Sequence, residues 1–168
     1  IITTMNLNNF TIKSQEVIQE AFLIAESNGN QSVENGHILK GLLLKGEEVT
    51  EYIFKKVGIN TSILEKVLGK LIESYPKVSG GEQYLSADAS KSLQHALNLA
   101  KKAGDQYVSV EYIMLGLLSA NDNVSQLLKD NGLNTKEVNL AICELRKGEV
   151  IDSPSAENSY TALNRYAI

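Results

Sequence analysis

The chain has 168 residues, with 16 Lys and Arg against 20 Asp and Glu, a formal net charge of −4 and a pI near 5.3. That length suits one domain able to bury a core without a disulfide or metal staple, and an acidic balance argues against nucleic acid as a partner. No apolar run is long enough to span a bilayer, no charged-then-apolar leader opens the chain, and a single Cys fits a reducing compartment, so a cytoplasmic protein is expected.

Residues 1–4 precede Met5 and read as a cloning remnant. Val17, Ile18, Ala21, Phe22 and Ala25 then form an apolar stripe at helical spacing, opened by Thr11 as a candidate N-cap and stopped by Asn28-Gly29. A second helix is expected from about Asn35 to Leu44, and a third from about Val49 to Val57, ended by Gly58. The fourth begins near Thr61, where Ser62 and Glu65 have capping-box spacing, and is expected to carry Ile63, Leu64, Val67, Leu68, Leu71 and Ile72 on one face. Pro76 ends it, and residues 76–85, with Gly80-Gly81, form a connector.

The plan then repeats from about Ser86 to Arg146, with Asn134 and Glu137 placed to cap the last helix. Gln19, Ala21, Ala25, Gly29, Gln31 and Val33 recur 75 positions on as Gln94, Ala96, Ala100, Gly104, Gln106 and Val108. Ile38, Gly41, Leu42 and Leu43 recur as Ile113, Gly116, Leu117 and Leu118, and after a one-residue slip Gly58–Thr61 answers Gly132–Thr135. The chain is a tandem duplication. An all-α fold of two four-helix repeats, about eight helices in a pseudo-twofold arrangement, follows: repeat one about 10–75, repeat two about 85–147. Residues 148–159, polar and containing Pro154, read as an interdomain linker. Residues 160–168 regain helical periodicity and read as the truncated start of another module.

Catalytic chemistry has little to work with. The nearest match to a phosphate-binding loop runs from Gly41 to Gly46 and continues Glu47-Glu48, where Lys-Ser/Thr is needed to hold phosphate. His37 and His95 are isolated, one Cys makes no zinc site, and no serine sits in a Gly-x-Ser-x-Gly elbow. His37 aligns with Tyr112 in the other repeat and reads as a helix-packing residue; His95 reads as a helix-edge residue and Cys143 as a small buried one. Neither an enzyme nor a metal or cofactor site is expected in this chain.

Phe10-Thr11, Gly29-x-Gln31 and His37-Ile38-Leu39 in repeat one carry a family resemblance, as do Tyr84-Leu85-Ser86 and Gly104-Asp105-x-Tyr107-Val108-Ser109-x-Glu111 in repeat two. With the connector Pro76–Gly80 and the tail Ala162-Leu163-x-x-Tyr166, they resemble the double N-terminal repeat of the Clp/Hsp100 AAA+ unfoldases, most closely the ClpB disaggregase branch. Asn35-Gly36 departs from the Thr-Glu of many relatives, and Tyr112 from their His or Leu.

The resemblance implies a domain that recruits unfolded or aggregated polypeptide to an ATPase ring. The alternative is a ClpC/ClpA-type domain that docks an adaptor. It implies a homohexameric full-length protein using ATP and magnesium, and a monomeric fragment. At the substrate groove it implies Thr11, Asp105 and Glu111, with Leu93, Leu97 and Tyr112 as apolar neighbours. Each also has a structural reading: Thr11 as a cap, Asp105 as a turn residue, Glu111 as a favourable charge at a helix start, and Leu93 and Leu97 as core. Tyr107 and Tyr112 are expected to keep a polar tip in water.

Overall fold

A computed structural model describes residues 6–78, 80–147 and 151–157. Repeat one comprises α1 (Ile12–Ser27), α2 (Asn35–Lys45), α3 (Glu47–Val57) and α4 (Thr61–Glu73). Repeat two comprises α5 (Ala87–Lys102), α6 (Val110–Leu118), α7 (Asn123–Asp130) and α8 (Thr135–Arg146). The all-α expectation holds, with helix bounds close to those read from the periodicity.

The caps repeat with the helices. Thr11 accepts from the Ser14 amide at the start of α1, and Ser86 accepts from the Ala89 amide at the start of α5. Each satisfies one of the orphan donors of a first turn. Asn134 caps α8 as expected, but α4 is capped by Asn60, whose side chain accepts from Ile63 N at 3.2 Å, and not by Ser62. Asparagine two residues earlier won because its short side-chain carbonyl reaches the backbone amide that is free there.

The two repeats pack as a pseudo-twofold pair. Helix α3 packs against α8 while α4 packs against α7, and α1 meets α6 as α2 meets α5. The short strands β1 (Ser32–Val33) and β2 (Tyr84–Leu85) pair in parallel across the repeats, with Val33 opposite Leu85. The matching exchange, 75 positions on, sets Val108 opposite Phe10. Each repeat thus lends the residues ahead of its first helix to a loop of the other. These strands are too short to show alternation, so no sequence pattern announces them.

Close approach of α1 to α2, and of α5 to α6, depends on two glycines. A Cβ on Gly41 would collide with the carbonyl oxygen of Val17, and one on Gly116 with that of Ser92. Helix α6 lies at the centre: all of its residues from Val110 to Leu118 are buried. A helix apolar all round has to be wrapped by others, and α1, α2, α3, α5, α7 and α8 do this. Its central place fixes where the side chains at its N-terminus can point.

Residues 148–159 were expected to be an interdomain linker. The described part, 151–157, is instead docked on the domain, with Ile151 fully buried and Glu157 2% exposed. Polar composition hid two buried aliphatic side chains, Ile151 and Ala156, and one buried carboxyl group, Glu157. Residues 1–4 and 160–168, read as remnant and truncated module, lie outside the described residues.

Candidate functional site

Three charged residues of repeat two, Asp105, Glu111 and Arg146, meet at the N-terminal turn of α6. Ser109 sits at the N-cap without a side-chain cap bond, and Glu111 lies in the first turn, where the helix dipole favours a negative charge. Arg146 ends α8, where a positive charge is favoured, and reaches across to α6. Its Nε donates to Glu111 Oε2 at 2.9 Å, its Nη1 to Asp105 Oδ2 at 2.8 Å and its Nη2 to Ser109 Oγ at 3.1 Å. The Tyr112 hydroxyl donates to the same Asp105 oxygen, and the guanidinium carbon stands 5.1 Å from the Tyr112 ring centroid. Burial, then the bond to Asp105, hold the Tyr112 hydroxyl well above the usual phenol range. It remains a proton donor at any physiological pH.

This ionic cluster forms one end of a cleft of about 520 Å³ between α5, α6 and α8. Leu99, Leu115, Tyr112 and Ile142 supply apolar wall, and His95, Lys102 and Arg146 supply basic groups. Cys143, expected to be buried, is exposed and lines the cleft. Its counterpart in repeat one, Gly69, likewise faces open space.

The expected site residues separate into three places. Asp105 and Tyr112 line the cleft, although Tyr112 is 6% exposed and not the wet surface residue expected. Glu111 is fully buried behind Arg146, whose position it fixes. Leu93 is also fully buried, which leaves it no surface for direct contact, and Leu97 is half-buried against the core; neither lines the cleft. Helix α5 carries two stripes, and the one at Ala89, Leu93, Ala96 and Ala100 faces inward because its small residues let α6 approach. His95, Leu99 and Lys102, spaced by four and three residues, are left to the cleft. Thr11 is buried elsewhere, its hydroxyl donating to Glu157 Oε2 at 2.8 Å. The residues missed from sequence, Leu99, Ile142 and Arg146, had one available signal: Arg146 is the sole arginine of the described helices.

Repeat one has a shallower counterpart of about 350 Å³, lined by Glu20, Ile24, Lys40, Gly69, Ile72 and Glu73. No ionic cluster supports it. Asn30 takes the place of Asp105 and bonds Nε2 of His37 at 2.9 Å, while Gly36 takes the place of Glu111. A Cβ at Gly36 would collide with the Tyr75 hydroxyl, and the Tyr75 ring lies 5.0 Å from that of His37. His37 is fully buried, as the packing reading expected. Repeat one fills with rings the space that repeat two fills with charge.

Nucleotide chemistry does not fit these residues. Gly41 lies inside α2 against the Val17 carbonyl, so its amide cannot cradle a phosphate, and Glu47 and Glu48 open α3 with negative charge. Among the described residues, no group of three or more His, Cys, Asp or Glu is placed to hold a metal ion, and no helix is long and apolar enough to cross a membrane.

Comparison with known proteins gives a consistent set of relatives. The profile of the Clp repeat N-terminal domain matches residues 9–131. The chain is 51% identical over 164 residues to chaperone protein ClpB of Bacteroides thetaiotaomicron and 44% identical over 164 residues to that of Porphyromonas gingivalis. Each match covers 98% of this chain and 19% of the relative, so the chain spans about a fifth of the length of these proteins. Among solved structures, the Hsp104 N-terminal domain from Candida albicans superimposes with a TM-score of 0.79 at 21% identity, over 89% of this chain and 99% of that one. A ClpV N-domain in complex with a VipB peptide shares the fold at a TM-score of 0.59 and 15% identity, over 86% of this chain and 83% of that one.

Proposed function

Because this chain belongs to the Clp repeat N-terminal domain family, we propose that it recruits unfolded or aggregated polypeptide to a ClpB-type disaggregase. The carrying observation is the cleft between α5, α6 and α8, in which half-buried Leu99 with the largely buried Leu115 and Ile142 forms an apolar wall beside the basic groups of His95, Lys102 and Arg146. An apolar wall with a few convergent polar groups is the usual form of a site for a side chain or short peptide. Asp105 and Glu111 hold the Arg146 guanidinium in place, so that its charge is presented without a search through rotamers.

In this reading Tyr112, Leu99 and Ile142 receive apolar side chains of the client. Arg146 and Asp105 orient its polar groups. Thr11, Glu111, Leu93 and Leu97 support the site from behind or from its edge. Identity of 51% to a ClpB N-terminal region favours the disaggregase over an adaptor-docking ClpC/ClpA-type domain. The ClpV N-domain bound to a VipB peptide lends support from a protein of the same fold.

The full-length protein works in the cytoplasm as a homohexamer. Its ATPase modules, which use ATP and magnesium, lie outside this chain. Six weak cleft sites on one ring would bind a long unfolded chain far more tightly than one. Neither membrane nor nucleic acid enters the scheme.

Titration of the isotope-labelled chain with an unfolded, non-aggregating polypeptide tests it. Shifts should concentrate at Leu99, Leu115 and Ile142, and Leu99→Asp should abolish them. Shifts that avoid the cleft, or none at large excess, would overturn recruitment at this site.

A further inference from the structure

Residues 151–157 lie across the edge where α1 and α6 begin, and main-chain bonds hold them there. The Ile151 amide donates to Asp105 Oδ1 at 3.0 Å and the Gln106 amide to the Ile151 carbonyl at 2.8 Å. The Ile12 amide, at the first position of α1, donates to the Pro154 carbonyl at 2.8 Å. These three bonds use only main-chain groups of the segment, which turns at residues 153–155 and is helical at 156–157. Two side chains add selectivity: Ile151 is fully buried, and Glu157 Oε2 accepts from the Thr11 hydroxyl at 2.8 Å and the Val110 amide at 3.0 Å. Val110 is the first residue of α6, whose own N-cap, Ser109, supplies no side-chain bond. Glu157 therefore caps α6 from outside, with its carboxyl between two positive helix ends.

We propose that this edge is a binding site for a short, turn-forming, carboxyl-bearing peptide segment, filled in cis by residues 151–157, which a client must displace to reach Thr11 and Asp105. The proposal rests on the recruitment reading for the identity of the competitor. It also accounts for the place of Thr11, which is remote from the cleft yet bonded to the same strap that covers Asp105. Burial, then the neighbouring Glu111, push the Glu157 carboxyl up to about 8, against the bonds from Val110 and Thr11 that favour its charged form. In repeat one the connector follows a comparable course, its Pro76 carbonyl accepting from Asn30 Nδ2 at 2.9 Å. That connector joins α4 to α5 and cannot leave without parting the repeats, whereas the strap follows α8 and lies outside both four-helix units.

The test compares the 168-residue chain with its Ile151→Asp/Glu157→Lys variant by amide hydrogen exchange, using as probe a synthetic peptide with the sequence of residues 150–158. In the variant, the Ile12, Gln106 and Val110 amides should exchange about tenfold faster, while Leu39 and Leu68 in the core keep their protection. The peptide should bind the variant and restore protection at the three amides; a peptide with Lys in place of Glu157 should not. On the unaltered chain, excess peptide should strip protection from the Ile151 amide, a readout independent of how the variant folds. Unchanged exchange at the three amides, retained protection of Ile151, or equal binding of the Lys-bearing peptide would overturn the proposal. Unfolded polypeptide that shifts Leu99 and Ile142 without exposing Ile151 would overturn the strap alone. Polypeptide that shifts neither, in either chain, would overturn recruitment instead.

Discussion

Asn30 and Asp105 occupy matching positions of the two repeats, yet Asn30 bonds the neutral ring of His37 and Asp105 bonds the Tyr112 hydroxyl and the Arg146 guanidinium. One duplicated framework therefore holds a neutral pair on one side and an ionic cluster on the other. The neutral side is sealed by Tyr75, whose hydroxyl burial holds well above the usual phenol range. The charged side adjoins the larger cleft. Divergence after duplication set the chemistry of each half.

Arg146→Met should be strongly destabilising. Side chains of Asp105 and Glu111 are 1% and 0% exposed, and the substitution would leave both carboxylates buried without their shared cation. Stranding buried charge costs about 3–5 kcal/mol, and chemical denaturation should show the midpoint fall accordingly. Replacing all three charged residues by apolar ones of similar volume should restore much of the loss, since the cluster itself offers little net stability.

His37 should make the fold acid-sensitive. Its Nδ1 accepts from the Glu34 amide at 2.9 Å and its Nε2 faces Asn30 Oδ1, so the ring is neutral and has no place for a second proton. Burial lowers its pKa from 6.5 to about 4. The unfolded chain then takes up a proton that the folded one refuses, so this contribution is complete above pH 6.5 and is lost as pH falls towards 4. The loss amounts to about 3 kcal/mol by linkage. Denaturant melts at stepped pH should show it, and in His37→Gln the difference between pH 7 and pH 4 should shrink by that amount.

Two glycines and a third should respond in opposite directions. Alanine at Gly41 or Gly116 would press a methyl into the carbonyl of Val17 or Ser92 and force paired helices apart, costing about 1–3 kcal/mol. Alanine at Gly69 meets nothing and sits inside α4, where it should raise stability by about 1 kcal/mol. Thermal melts of the three single variants, run side by side, separate the effects.

Cys143 should react with a maleimide in the folded chain, because it is exposed. A bulky adduct there would stand in the cleft beside Ile142 and Arg146. Adduct formation should abolish the shifts that unfolded polypeptide causes at Leu99, while melting stays within about 0.5 kcal/mol, as is usual for surface changes. Retained binding by the fully labelled chain would count against the cleft as the recruitment surface.

The duplication, the eight helices and the caps at Thr11 and Asn134 were legible because they depend on local order. Apolar spacing near 3.6, a Thr, Ser or Asn before the first turn and a glycine after the last act over a few residues. The same locality explains the errors. Ser62 and Asn60 both offered a cap for α4, and only backbone geometry chose Asn60. Polar composition around 151–157 suggested a linker, since three buried residues among seven, Ile151, Ala156 and Glu157, leave no periodic trace.

By itself the sequence determined that two similar four-helix units exist and that Asp105, Glu111 and Tyr112 belong near the start of the second helix of one of them. Only the tertiary structure decided what those residues do. Arg146 lies 41 residues from Asp105 and 35 from Glu111, and α8 must pack beside α6 before the three can meet. Whether Leu93 or Leu99 faces the cleft likewise depends on which side of α5 receives α6, a choice made by Ala89, Ala96, Ala100 and Gly116 together. Helical order is set by neighbours along the chain; a site is set by which faces pack, and that free energy is shared among residues far apart in sequence.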